Sequence, residues 1–124
     1  MLKVIAVGLG GFFGAISRYL ISGWVERYFQ GTFPFGTLTV NLVGCFLLGF
    51  LYALTLEKEA LGPIVRIGIT TGFLGALTTF STFSLETLTL LEGRNYYLGL
   101  GNVFISLLLG LMLAWFGMVT ARIL

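Results

Sequence analysis

Histidine and aspartate are absent from this chain, cysteine occurs once, and only seven Lys or Arg and five acidic residues are present. Without histidine no side chain has an ordinary pKa near neutrality for acid–base work, and the usual His-rich metal sites cannot form. With neither His nor Asp, no nucleophile–base pair can be assembled, so an enzyme is the least expected reading. A lone Cys45 excludes an intrachain disulfide. In the middle of an apolar run, such a cysteine behaves as a small packing residue. No ATP-binding motif is visible.

Apolar material fills the rest. The chain has 124 residues, 57% of them hydrophobic and 10% charged, with a mean hydropathy of +1.02. A soluble domain carries roughly 25% charged residues, and a chain this short has too much surface to hide that much apolar area from water. Its outer solvent is therefore expected to be lipid. Crossing a hydrocarbon core takes about 20 apolar residues. Four stretches qualify, at about 4–25, 36–56, 63–91 and 96–121. The expected class is thus an all-α membrane protein in which residues 1–124 form one transmembrane domain of four helices. The first run is too long and too glycine-rich for a signal peptide and has no small-residue cleavage site, so it reads as the first span.

Lys3, Lys58, Arg66 and Arg122 would share one side of such a four-span protein, and Arg27 and Arg94 the other, with Arg18 nearest to the latter. Lys and Arg in loops set orientation, and so small a difference specifies it weakly. Insertion in both orientations, with an antiparallel homodimer, is one expectation; a single orientation set by other cues is the alternative. Glycine is abundant, at 18 residues. Gly10 with Gly14, and Gly68 with Gly72, form small-xxx-small pairs suited to close helix approach, between subunits or within one. The run Gly8, Gly10, Gly11 and Gly14 lacks the spacing and the βαβ setting of a dinucleotide-binding loop.

The most informative stretch is G-F-L-G-A-L-T-T-F-S-T-F-S-L-E at residues 72–86. Pro63 starts the span cleanly, because proline is tolerated at the first helical position. From there to Phe73 is about 16 Å of helix, half a bilayer. Gly72 and Gly75 then weaken the helix by roughly 1 kcal/mol each, and the hydroxyls of Thr78 and Thr79 compete for backbone bonds. A discontinuity at mid-membrane is expected, against the alternative of an intact, kinked helix. A break frees backbone carbonyls that must find other partners, and interrupted spans point to ion sites. Freed carbonyls suit a monovalent cation.

Beyond the break, Phe80 and Phe83 share a helix face, flanked by Ser81, Thr82 and Ser84. Hydroxyls donate to anions, and aromatic ring edges are electropositive. A row of both could carry a small anion without a fixed charge; phenylalanines facing lipid or core are the commoner arrangement. Elsewhere, Asn41 either pairs with a neighbouring helix or offers its amide to an anion. Arg18 either enriches anions in a vestibule or snorkels to the interface. Glu86 caps the aqueous mouth or pairs with Arg18. Asn102 and Ser106 lie four apart and either face one path or bond between helices.

These residues resemble the Fluc (also called CrcB) family of bacterial fluoride channels. The likeness rests on G-G-F-F-G-A-I-S-R at 10–18, G-T-L-T-V-N-L-V-G-C at 36–45 and G-F-L-G-A-L-T-T-F-S-T-F-S at 72–84, and it covers all four spans in order. It implies a dual-topology antiparallel homodimer with a broken third helix and two fluoride pores. It also implies a structural sodium ion at the dimer centre, on carbonyls that map to Gly75 and Thr78. Pore residues map to Asn41, Phe80, Phe83 and Ser106, and a polar track to Ser81, Thr82 and Ser84. Arg18 and Glu86 take vestibule or structural positions. Asn102 stands where some members carry tyrosine, which leaves its part in the pore open. The implied role is passive fluoride export across the bacterial cytoplasmic (inner) membrane. Expected partners are fluoride, sodium, lipid and a second copy, with no nucleic acid. A small multidrug transporter shares only size with this chain, which has no acid before Glu26. A membrane scaffold would leave the hydroxyl-rich third span without a role.

Overall fold

The computed structural model describes all 124 residues and is all-helical. We number five helices. α1 is Leu2–Tyr28. α2 is Phe35–Tyr52, prolonged by a wide π-type turn at Ala53–Glu57. α3 covers residues 63–77, as Pro63–Ile67, a π-helical Gly68–Leu74 and Gly75–Leu77. α4 is Phe80–Glu92 and α5 is Tyr96–Ile123. Leu2–Tyr28, Phe35–Glu57, Pro63–Glu92 and Tyr96–Ile123 are each long and apolar enough to cross a membrane. The protein is a multi-pass membrane protein.

The 27 residues of α1 make a rod of about 40 Å. That exceeds a hydrocarbon core of about 30 Å, so the helix ends carrying Lys3, Glu26 and Arg27 reach the headgroup zone. Large apolar side chains line the outside: Phe12, Phe13, Leu108, Leu111 and Trp115 are all exposed. In water such a surface would drive aggregation; in lipid it is the solvated face. The inward cluster is small, with Val40, Leu74 and Leu77 buried and Leu47, Leu51 and Phe73 packed against them.

Lipid tails are as apolar as leucine, so helix association relies on close van der Waals approach. α1 lies along α3 and α2 along α5. A Cβ at Gly14 would run into the Phe73 carbonyl, and one at Gly10 into the Gly68 carbonyl. The two small-xxx-small pairs therefore meet each other within one chain. Gly49 and Gly117 do the same for α2 and α5, against the carbonyls of Ala114 and Phe46.

At the chain end, Arg122 grips Glu57 bidentately, Nε to Oε2 at 2.8 Å and Nη2 to Oε1 at 2.6 Å. Both side chains are partly exposed, so water and salt screen the pair and it adds little to stability. Pro63 stands at the first turn of α3 as expected from its missing N–H.

Gly49→Val is expected to destabilise the fold by about 1–3 kcal/mol through overpacking. Equilibrium unfolding in mixed detergent micelles measures it, and an unchanged midpoint would contradict the backbone contact.

Candidate functional site

Between α3 and α4 the chain is extended. Thr78 has φ −87° and ψ 156°, and Thr79 φ −151° and ψ 121°. β-branched threonine fits the extended region well. Thr79 also caps the N-terminus of α4: its Oγ1 accepts from the Thr82 N–H at 3.3 Å and donates to Thr82 Oγ1 at 3.0 Å.

In a continuous helix the Thr79 N–H would bond to the Gly75 carbonyl and the Thr82 N–H to the Thr78 carbonyl. Here the first donates to Asn41 Oδ1 at 2.7 Å, and the second goes to the Thr79 hydroxyl. The carbonyls of Gly75 and Thr78 thus lose their ladder donors. Asn41 completes the exchange by donating from Nδ2 to the Thr79 carbonyl at 3.0 Å. Its side-chain amide pairs with Thr79 much as a neighbouring strand would. α2 comes close enough to do so because Gly44 faces Thr78, where a Cβ would strike the threonine Cγ2.

Beside this junction lies a cavity of about 330 Å³. It gathers Asn41, Gly75, Thr78, Phe80, Phe83 and Ser106, together with Thr79, Cys45 and Thr70. The Phe80 and Phe83 rings have centroids 5.7 Å apart, tilted by 41°. Phe80 remains 79% exposed, so one chain does not enclose the cavity.

A family profile described as "CrcB-like protein, Camphor Resistance (CrcB)" matches residues 5–118. This chain belongs to the CrcB family. A protein of Geobacter metallireducens named "Fluoride-specific ion channel FluC" is 47% identical over 122 residues, 98% of each chain. "Fluoride-specific ion channel FluC 1" of Moorella thermoacetica is 46% identical over 94% of this chain and 84% of its own. A FluC of Nitratiruptor sp. is 48% identical over 86% of this chain and 81% of its own.

The remaining positions singled out in this CrcB chain lie elsewhere. Arg18 and Thr82 open with Thr37 and Thr79 into a second cavity of about 210 Å³, so Thr79 borders both. Glu86 lines a third cavity, of about 380 Å³, with Glu26. Its Oε1 accepts from the Thr37 hydroxyl at 2.7 Å, and its Oε2 is buried without a partner. Arg18 and Glu86 form no ion pair; the chain's one salt bridge is Arg122–Glu57. Ser81 and Ser84 are both exposed on α4. The Ser84 hydroxyl donates to the Phe80 carbonyl at 2.9 Å, and Ser81 Oγ lies 3.3 Å from Thr79 Oγ1. Asn102 is buried and donates to Thr87 Oγ1 at 2.9 Å, joining α5 to α4 outside the main cavity. Ser106 reaches Asn102 Oδ1 at 3.5 Å while lining that cavity.

Thr37 and Thr87, which hold Glu86 and Asn102, and the capping role of Thr79 emerge only in the folded chain. The signal for Thr37 was its place four residues before Asn41, on the same face of α2. Thr87 carried no comparable signal. Thr79→Val keeps the shape and removes the capping oxygen, so it is expected to cost about 1 kcal/mol of stability. Thr79→Ser should retain most of it, as read by unfolding midpoints in detergent.

Proposed function

We propose that this chain is a fluoride-selective channel that passively exports fluoride across the bacterial cytoplasmic (inner) membrane. The carrying observation is that a helix interruption, an amide, a hydroxyl and two phenyl rings meet in one cavity, in a chain whose relatives are named fluoride-specific ion channels. In this reading the interruption at Thr78–Thr79 sits at mid-membrane and breaks the third transmembrane helix.

Moving a small anion through lipid requires donors that replace its water, set weakly enough to let it leave. Arg18 would concentrate anions at the mouth of its cavity by its charge. The Thr82 hydroxyl, which accepts from Thr79 and keeps its own hydrogen free, carries the path inward to Thr79, the residue that borders both cavities. The cavity beyond offers the Asn41 amide, the Ser106 hydroxyl and the electropositive edges of Phe80 and Phe83. Ser81 and Ser84 extend the polar track along α4. No basic side chain lines this inner cavity, so nothing there would trap the anion. Hydrogen fluoride enters cells as the neutral acid and dissociates in the more alkaline cytoplasm. A passive pore lets the anion leave down its gradient, with no energy source needed.

The same reading makes the assembly an antiparallel, dual-topology homodimer with two pores. The weak Lys and Arg bias permits both orientations, and the exposed Phe80 calls for a second wall. The Gly75 and Thr78 carbonyls, relieved of their ladder donors, suit a sodium ion at the dimer centre, since oxygen dipoles replace its hydration shell. A sodium ion held by these carbonyls would supply a fixed positive charge at the interruption.

Purified protein in liposomes is expected to release fluoride with little chloride. Phe80→Ile and Phe83→Ile should each slow fluoride efflux about tenfold or more, equivalent to about 1.4 kcal/mol on the barrier, with the dimer still folded. Unchanged efflux in both variants would remove the ring-edge mechanism. Equal chloride efflux would remove the assigned selectivity.

A further inference from the structure

Asn41 stands between the two features on which the channel reading rests. Its Oδ1 takes the Thr79 N–H at 2.7 Å, the donor that a continuous helix would give to the Gly75 carbonyl. Its Nδ2 commits one hydrogen to the Thr79 carbonyl at 3.0 Å and makes no other bond within the chain. An amide nitrogen carries two hydrogens, so one remains, and Asn41 lines the cavity that also holds Phe80, Phe83 and Ser106.

We propose that Asn41 is the positioning residue of the interruption. By holding the Thr79 peptide in extended form it keeps the Gly75 carbonyl free of its helical donor, and with its second N–H it ties that geometry to the anion cavity. One side chain thereby couples the carbonyl cluster to the anion route. Thr79 alone cannot do this, because its hydroxyl caps α4 and leaves its own N–H without an acceptor. Asn suits the task because it presents an acceptor and a donor in one plane. Its isosteric acid retains only the acceptor.

The effect on conduction rests on the fluoride-channel reading; the clamp itself does not, and the test separates them. Amide hydrogen exchange at Thr79 is measured by NMR in detergent micelles on protein labelled with ¹⁵N at threonine. Fluoride efflux is measured in parallel from liposomes. Asn41→Ala is expected to speed Thr79 exchange about tenfold, the loss of one good hydrogen bond, and to lower efflux. Asn41→Asp keeps an acceptor for the Thr79 N–H, so exchange should stay near the parent value while efflux falls, because the donor is lost and a negative charge faces the anion. Should the alanine variant not assemble, Asn41→Thr, too short to reach Thr79, is read in the same way. Parent-like exchange in the alanine or threonine variant with reduced efflux would make Asn41 a plain anion ligand and overturn the clamp. Faster exchange with unchanged efflux would overturn the coupling. A parent protein that exchanges as expected yet passes no fluoride would sink the channel reading and leave the clamp standing.

Discussion

Backbone polar groups removed from water need partners, and in a membrane those partners must come from protein, trapped water or an ion. Wherever the helical ladder stops, several N–H and C=O groups are orphaned at once. At Thr78–Thr79 the remedy is local. One hydroxyl caps the next helix, and one amide from α2 pairs with the exposed peptide. That leaves the carbonyls of Gly75 and Thr78 without ladder donors, in residues that line the same cavity as the hydroxyls and phenyl rings.

Close backbone approach makes this feasible. Glycines on α1 seat against α3, and glycines on α2 and α5 seat against each other. Without a hydrophobic drive between helices in lipid, these contacts set the spacing. Gly44 extends the same logic to the site itself. It admits Thr78 against α2 and so brings Asn41 within hydrogen-bonding reach, three residues earlier on that helix. Packing and site chemistry are therefore one arrangement, and a bulky residue at Gly44 would disturb both.

Much of the architecture was legible because it rests on local quantities. Length and hydropathy identify four spans, and lipid is the one solvent that suits an outside bearing Phe12, Leu111 and Trp115. Helix limits differ by a few residues from the apolar runs: α1 runs over Leu2–Tyr28 although its uncharged core is shorter. Long charged side chains near a helix end snorkel to the headgroups. The π-helical geometry of Gly68–Leu74 was not legible, since nothing in composition separates it from an α-helix. The place of extension was legible only to within the stretch from Gly72 to Thr79. Gly72 and Gly75 have the poorer helix propensity, yet both are helical, and the extended residues are the threonines. Helix propensity is a weak prior that an acceptor across the molecule can override.

Composition and periodicity by themselves determined that this chain is helical, that it lives in lipid, and which chemical groups are available: hydroxyls, amides, phenyl rings and few charges. Tertiary structure alone decided which of those groups meet. Asn41 and Thr79 are 38 positions apart, Glu86 found Thr37 and not Arg18, and Asn102 turned to Thr87 in a buried contact between helices. Hydropathy reads each residue against its solvent, whereas hydrogen-bond partners depend on where distant helices cross. That crossing is set by the volume of small residues at each contact, summed over the whole fold.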